Sequence, residues 1–196
     1  MKKRIGIIYA TRGGQTRRIA RHVANHLRTR NFEVEIFNVK ESAPDLFFNP
    51  FDGLILAASV YRGRHEREMV KFVRNHLGAL AACPSAFLSV SMSQAGVELP
   101  GITPEQRASH ATNVHQILER FYAETGWRPR HVAAVAGAVL YTKYNFLVRF
   151  IMKRISKQAG GSTDTSQDHE YTDWGALDRF SDEFESVVSA TAMQPV

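Results

Sequence analysis

Residues 5–16 read Ile5-Gly6-Ile7-Ile8-Tyr9-Ala10-Thr11-Arg12-Gly13-Gly14-Gln15-Thr16, an apolar run that stops abruptly in hydroxyls and glycines. A helical pattern follows at once over residues 17–28, so the stretch predicts a strand, a tight loop and a helix N-terminus. Unpaired main-chain N–H groups and the positive end of the helix dipole favour an anion at such a point. Thr11 and Thr16 can add hydroxyl donors, and Gly13 and Gly14 let the main chain wrap closely around a phosphate. Two other phosphate loops are excluded by chemistry. No Gly-Lys-Ser/Thr is present to reach a β/γ-phosphate and Mg²⁺, and no GxGxxG is followed by an acidic residue for a ribose. A loop that grips through hydroxyls and amides suits one terminal monophosphate. A plain helix cap at a βα turn is the structural alternative.

Outward from this loop, strands and helices alternate. Residues 32–37 (Phe-Glu-Val-Glu-Ile-Phe) alternate with period two, as a strand near a sheet edge does. Residues 53–58 form a fully apolar run, expected of a central parallel strand covered on both faces. Helical spacing follows at Met69, Val70, Phe72, Val73 and Leu77, then a fourth strand over 85–90. A long amphipathic helix is expected over 104–125 with Gly126 as its C-cap, a fifth strand over 131–139, and a last helix from about Thr172-Asp173 to Val188. The whole predicts one α/β domain, 1–196: an open, doubly wound, five-stranded parallel sheet. Two connections exceed usual loop length, residues 91–104 and an insert of about 138–171 after the fifth strand. Ligands of such sheets bind beyond the carboxyl ends of the strands.

The chain has 196 residues, with 25 Lys+Arg against 19 Asp+Glu and a formal charge of +6. That excess points to an acidic partner such as an anionic lipid surface or a substrate bearing carboxylates. Nucleic acid is not favoured, because the basic residues are spread along several helices without a recognition motif. One cysteine, Cys83, excludes a disulfide framework and a cysteine-built metal site. The eight histidines show no metal-ligand spacing, and His22 with His26 reads as a solvated i, i+4 pair, so no metal is expected. No signal peptide and no membrane-spanning run are expected, which suggests a cytoplasmic protein.

The residues Thr11-x-x-Gly14-x-Thr16, the strand order and the loop after Ala57-Ala58-Ser59 resemble flavodoxin. Several segments are similar to one subfamily: residues 10–17, Pro84-Ser85-Ala86-Phe87, Trp127-Arg128-Pro129, Ala136-Gly137-Ala138, Ile151-Met152-Lys153, Thr163-Asp164-Thr165 and Tyr171-Thr172-Asp173-Trp174. That subfamily is the flavodoxin-type, quinone-dependent protoporphyrinogen oxidase (dehydrogenase) of bacterial haem biosynthesis. The resemblance implies non-covalent FMN and a three-step, six-electron oxidation of protoporphyrinogen IX to protoporphyrin IX. It implies menaquinone or ubiquinone as acceptor, and a peripheral place on the inner face of the cytoplasmic membrane. A homo-oligomer stays open.

On this resemblance the phosphate loop is Thr11, Arg12, Gly13, Gly14, Gln15 and Thr16, and the loop Ser59, Val60, Tyr61, Arg62 and Gly63 flanks the isoalloxazine. Ser91 and Met92 lie after the fourth strand, where flavodoxins usually carry an aromatic lid. Its absence leaves one flavin face open to a tetrapyrrole, unless Tyr141 or Tyr144 from the insert fills it; Ala138 begins that insert. Residues 145–157 make a cationic amphipathic helix whose Arg149, Lys153, Arg154 and Lys157 suit a membrane interface or the propionates of the substrate. A core-covering helix with a solvated basic face is the bland alternative. No catalytic acid or base stands out. Two other functions remain open: a flavodoxin-like quinone reductase or electron carrier, and a non-catalytic tetrapyrrole- or membrane-binding protein of this fold.

Overall fold

A computed structural model of the chain describes residues 2–41, 51–139 and 169–191. β1 (Arg4–Ala10) feeds α1 (Gln15–Thr29), followed by β2 (Glu33–Asn38), β3 (Gly53–Tyr61) and the short β4 (Arg64–His65). Next come α2 (Arg67–Asn75), α3 (Leu77–Ala82), β5 (Ser85–Ser91), α4 (Met92–Glu98), α5 (Pro104–Thr125) and β6 (His131–Ala136). β7 (Ala138–Val139), β8 (His169–Glu170) and α6 (Trp174–Thr191) complete the described elements. The main sheet runs β2-β1-β3-β5-β6 with all neighbours parallel, and β4 pairs antiparallel with the end of β3.

Alternation along the strands explains why both faces are covered. Ile5, Ile7 and Tyr9 of β1, with Ile55 and Ala57 of β3, pack under α1 and α6 among Ile19, Val23, Leu27, Leu177 and Phe184. Ile8 and Ala10, with Leu54, Leu56 and Ala58, face the opposite layer of Met69, Phe72, Phe121 and Trp127. A strand apolar on both faces must be sandwiched, and the crossover helices supply the two layers. The approach of α6 is close. A Cβ on Gly53 would sit 2.7 Å from Cγ2 of Val188 and 3.1 Å from Phe184, so the first residue of β3 has no room for a side chain.

Several elements differ from the sequence expectation. The fifth strand stops at Ala136 instead of running to 139. The Gly137 N–H donates to the Ser91 carbonyl (3.0 Å), its carbonyl accepts from Tyr171 N–H (3.2 Å), and Thr172 Oγ1 donates to the Ala136 carbonyl (2.8 Å). The chain is thereby drawn out of the sheet, and Ala138 pairs with Glu170 instead. Within 91–104, expected as a long loop, α4 forms under a cap in which Ser91 Oγ accepts from Gln94 N–H. The helical stretch after residue 66 divides at His76, whose ring stacks on Phe72 at 4.2 Å. His22 and His26 are not solvated: they face α6. His22 Nε2 lies 2.7 Å from Asp178, and His26 lies 3.1 Å from Asp178 and 2.7 Å from Asp182. Arg30 closes this row at 2.9 Å from Asp182, which helps hold that carboxyl below the usual aspartate range, after the hydrogen bond from His26. α5 and its Gly126 cap stand as expected, with Thr103 and Gln106 adding a capping box.

Candidate functional site

Because β1, β3 and β5 are adjacent, the segments at their carboxyl ends lie side by side, at the point where the chain turns from β1 to opposite sides of the sheet. The first is the loop 11–14. Thr11 Oγ1 accepts from the Gly14 N–H at 3.0 Å, which curls the loop back on itself. Gly14, at φ 97°, is the N-cap of α1, a conformation that a side chain would strain. It offers no side-chain oxygen to the first turn of α1, which also contains no acidic residue. The helix therefore begins with uncapped N–H groups. Thr16 stands in that turn with 1% of its surface exposed, and its Oγ1 has no hydrogen-bond partner among the described residues. A buried hydroxyl without a partner is costly unless a ligand supplies one. The uncapped turn and this donor together fit a phosphate.

The second segment is Ser59 to Gly63, which is the tip of a hairpin and not an irregular loop. Val60 pairs with His65 and Tyr61 with Arg64, leaving Arg62 (φ 51°) and Gly63 (φ 72°) as the two turn residues. Two positive φ values are the mark of a type I′ turn, whose twist matches the strands. Arg120 of α5 donates to the Gly63 carbonyl at 3.0 Å and anchors the tip. The Arg12 guanidinium lies 4.1 Å from the centroid of the Tyr61 ring, linking the first two segments by a cation–π contact.

Beneath that contact sits Glu66, which the sequence did not single out. It is 4% exposed and accepts from Lys40 Nζ (2.5 Å), Arg12 Nε (3.2 Å) and Ser59 Oγ (3.3 Å). Burial alone would raise its pKa, but the hydrogen bonds and charges of Lys40 and Arg12 outweigh it, and the carboxyl is held below the usual glutamate range. The adjoining His65 is buried between Phe87 and Phe121, its Nε2 2.9 Å from Ser89 Oγ, and burial lowers its pKa to about 3. It is neutral at ordinary pH and serves packing.

The third segment, Ser91 and Met92, opens α4; the Ser91 hydroxyl is engaged in its own cap and Met92 is half-buried. Ala138, half-buried in β7, lies one residue beyond the Gly137 that bonds to Ser91. Gln15 is deflected from the expected role. Its Nε2 donates to Glu170 (2.7 Å) and Thr172 Oγ1 (2.9 Å), tying the start of α1 to β8. Arg18 reinforces this by pairing with Glu170 at 3.1 Å. Only the main-chain amide of Gln15 remains for an anion. Tyr141, Tyr144, Arg149, Lys153, Arg154 and Lys157 lie outside the described residues. Cys83 is half-buried, its thiol pushed up to about 11 by burial and by the charge of Asp52, so it is no nucleophile. Among the described residues no cluster of His, Cys, Asp and Glu could hold a metal, and no helix is long and apolar enough to cross a membrane.

Comparison with known proteins agrees with this geometry. The flavodoxin-domain family model matches residues 6–166. A protoporphyrinogen IX dehydrogenase (quinone) from Escherichia coli strain K12 is 34% identical over 177 residues, covering 90% of this chain and 92% of that one. A protein of the same name from Leishmania major is 28% identical over 193 residues, covering 96% and 78%. Among solved structures, oxidised flavodoxin 2 from Bacillus cereus superposes with a TM-score of 0.52 at 17% identity, over 93% of this chain and 98% of that one, a likeness of fold. With a flavodoxin-type sheet, an uncapped first loop and this extent of identity, the chain belongs to the flavodoxin family and, within it, to the group of the protoporphyrinogen IX dehydrogenases (quinone).

Proposed function

We propose that this protein oxidises protoporphyrinogen IX to protoporphyrin IX with FMN as cofactor and a quinone as electron acceptor. The observation that carries the reading is 34% identity to a protoporphyrinogen IX dehydrogenase (quinone) over nine-tenths of the chain. It is supported by the Thr16 hydroxyl in the first turn of α1, buried with no partner among the described residues. FMN held in this site would supply the redox chemistry, as acceptor of hydride equivalents from the porphyrinogen and donor of electrons to quinone. Six electrons and six protons leave the substrate, so three quinones are reduced per porphyrin formed.

The residues of the chain bind and orient. Thr11, Arg12, Gly13 and Gly14, the Gln15 amide and the Thr16 hydroxyl hold the phosphate. Ser59, Val60, Tyr61, Arg62 and Gly63 would flank one side of the ring system, and Ser91, Met92 and Ala138 the other. Without an aromatic in that third segment, that side is left to a broad tetrapyrrole substrate. Tyr141 or Tyr144, on sequence alone, is the alternative occupant of that side. Glu66 is a positioning residue: it fixes Arg12 and Ser59, one from each of two ligand segments. Membrane association through Arg149, Lys153, Arg154 and Lys157 at the inner face of the cytoplasmic membrane, where quinone resides, belongs to the same proposal.

The test is porphyrin fluorescence during anaerobic incubation of FMN-loaded protein with protoporphyrinogen IX, with and without a menaquinone analogue. A rise that needs both FMN and quinone is expected. No rise above the spontaneous rate, with flavin demonstrably bound, leaves the chain a flavodoxin-like reductase or carrier.

A further inference from the structure

Directly after the hairpin tip, a cavity of about 520 Å³ opens between β4, α2 and the last turn of α5. Its charged lining is Arg64, Arg67 and Arg74 against a single carboxylate, Glu124, and Val70 and Ala123 supply apolar wall. Glu124 pairs with Arg64 at 3.3 Å. Arg67 and Arg74 are exposed and make no hydrogen bond, ion pair or ring contact with any described residue. They stand seven residues apart on α2, about 10 Å along the helix axis. Two guanidinium groups that line one recess without a partner among the described residues leave a local excess of positive charge there. Such groups match carboxylates bidentately, which ammonium groups cannot do.

We infer that this cavity binds the two carboxylate side chains of the tetrapyrrole substrate, through Arg67 and Arg74. The inference rests on the reading under Proposed function, since that reading supplies a substrate with two carboxylates on short arms at one edge of an otherwise apolar ring system. Position supports it: Arg64, in the cavity wall, is covalently next to Gly63, so the cavity abuts the hairpin tip assigned to the flavin. Val70 and Ala123 meet the apolar part of such a molecule, which a small inorganic anion would leave uncovered. The cations of the insert are then left for the membrane.

FMN-loaded protein would be titrated with protoporphyrin IX and with its dimethyl ester, following porphyrin fluorescence anisotropy, for the wild type and for R67Q/R74Q. Both substituted residues are exposed and have no partner among the described residues, so the variant should fold and bind FMN as the wild type does. The expected result is a preference of about tenfold or more for the diacid in the wild type, abolished in R67Q/R74Q and partly restored in R67K/R74K. In turnover, the KM for the porphyrinogen should rise while kcat changes little. No diacid preference in the wild type, or an undiminished one in R67Q/R74Q, overturns the inference. So does loss of binding to phosphatidylglycerol vesicles in R67Q/R74Q with the diacid preference intact, which would assign the cavity to lipid headgroups. Failure of the wild type to oxidise protoporphyrinogen IX in the fluorescence assay would instead sink the proposed function, and the equilibrium titration would still decide the cavity.

Discussion

At the residue scale, Thr16 and Glu66 make opposite kinds of contribution. The Thr16 hydroxyl is buried and has no partner among the described residues, so Thr16→Val removes an unsatisfied group of nearly the same shape. The ligand-free variant should melt no lower than the wild type, yet bind FMN about ten- to a hundredfold more weakly, as expected for one lost hydrogen bond to a charged group. Flavin fluorescence quenching and a thermal melt read the two effects. Glu66 and His65 are neighbours that titrate apart. His65 is held neutral down to about pH 3 against an ordinary value of 6.5, so the unfolded chain takes up a proton that the fold refuses. Stability should therefore fall by up to about 1.4 kcal/mol per pH unit as pH drops through that window. Glu66 has a depressed pKa, so its contribution is fully present above the ordinary value of 4.5 and is lost as pH falls through its lower folded value. Urea melts should show an acid loss that begins below about pH 6.5, from His65 alone, and steepens below about 4.5, where Glu66 adds to it. His65→Phe should remove the loss above 4.5 and Glu66→Gln the steepening below it; a pH dependence unchanged in either variant would refute the assignment.

At the scale of elements, the decisive contacts are those that fix where helices end and how closely they lie. The approach of α6 to β3 depends on Gly53, where a Cβ would meet Val188 at 2.7 Å. Gly53→Ala should cost about 1–3 kcal/mol by overpacking, measured by denaturant unfolding, and Val188→Ala in the same chain should recover part of it. Additive losses in the double variant would show that the contact does not limit the packing. The tie from Gln15 to Glu170 and Thr172 shows why the chain leaves the sheet after Ala136: β8 is needed beside the start of α1. Strand period alone carries no signal for that exit, since 132–139 holds only small and apolar residues.

At the scale of the molecule, three segments that follow non-consecutive strands meet at one edge of the sheet, the edge proposed to hold FMN, so its occupation should stabilise the whole fold. FMN at about a hundred times its Kd should add about 2.7 kcal/mol and raise Tm by roughly 5–10 °C in differential scanning calorimetry. A Tm indifferent to FMN would exclude the site. The formal charge of +6 is ordinary for a protein meeting acidic partners and unlike that of a small carrier built to dock on basic ones.

The alternation of strands and helices, the parallel sheet and the first loop were legible in the chain because each rests on local periodicity and turn chemistry. Residues 5–16 carried the apolar run, the glycines and the hydroxyls in one continuous segment, and 104–126 carried a helix with both its caps. The resemblance of Trp127-Arg128-Pro129 and Tyr171-Thr172-Asp173-Trp174 to one enzyme group was equally local. What the tertiary structure alone decided depends on residues far apart in sequence. Arg12, Lys40, Ser59 and Glu66 come from four segments and meet only because β1, β2 and β3 are adjacent. His22 and His26 acquire partners only when α6 lies along α1. Arg67 and Arg74 become a cavity wall only when α5 passes beside α2. Periodicity encodes which face of an element is buried; which charged groups then meet is set by how the elements pack.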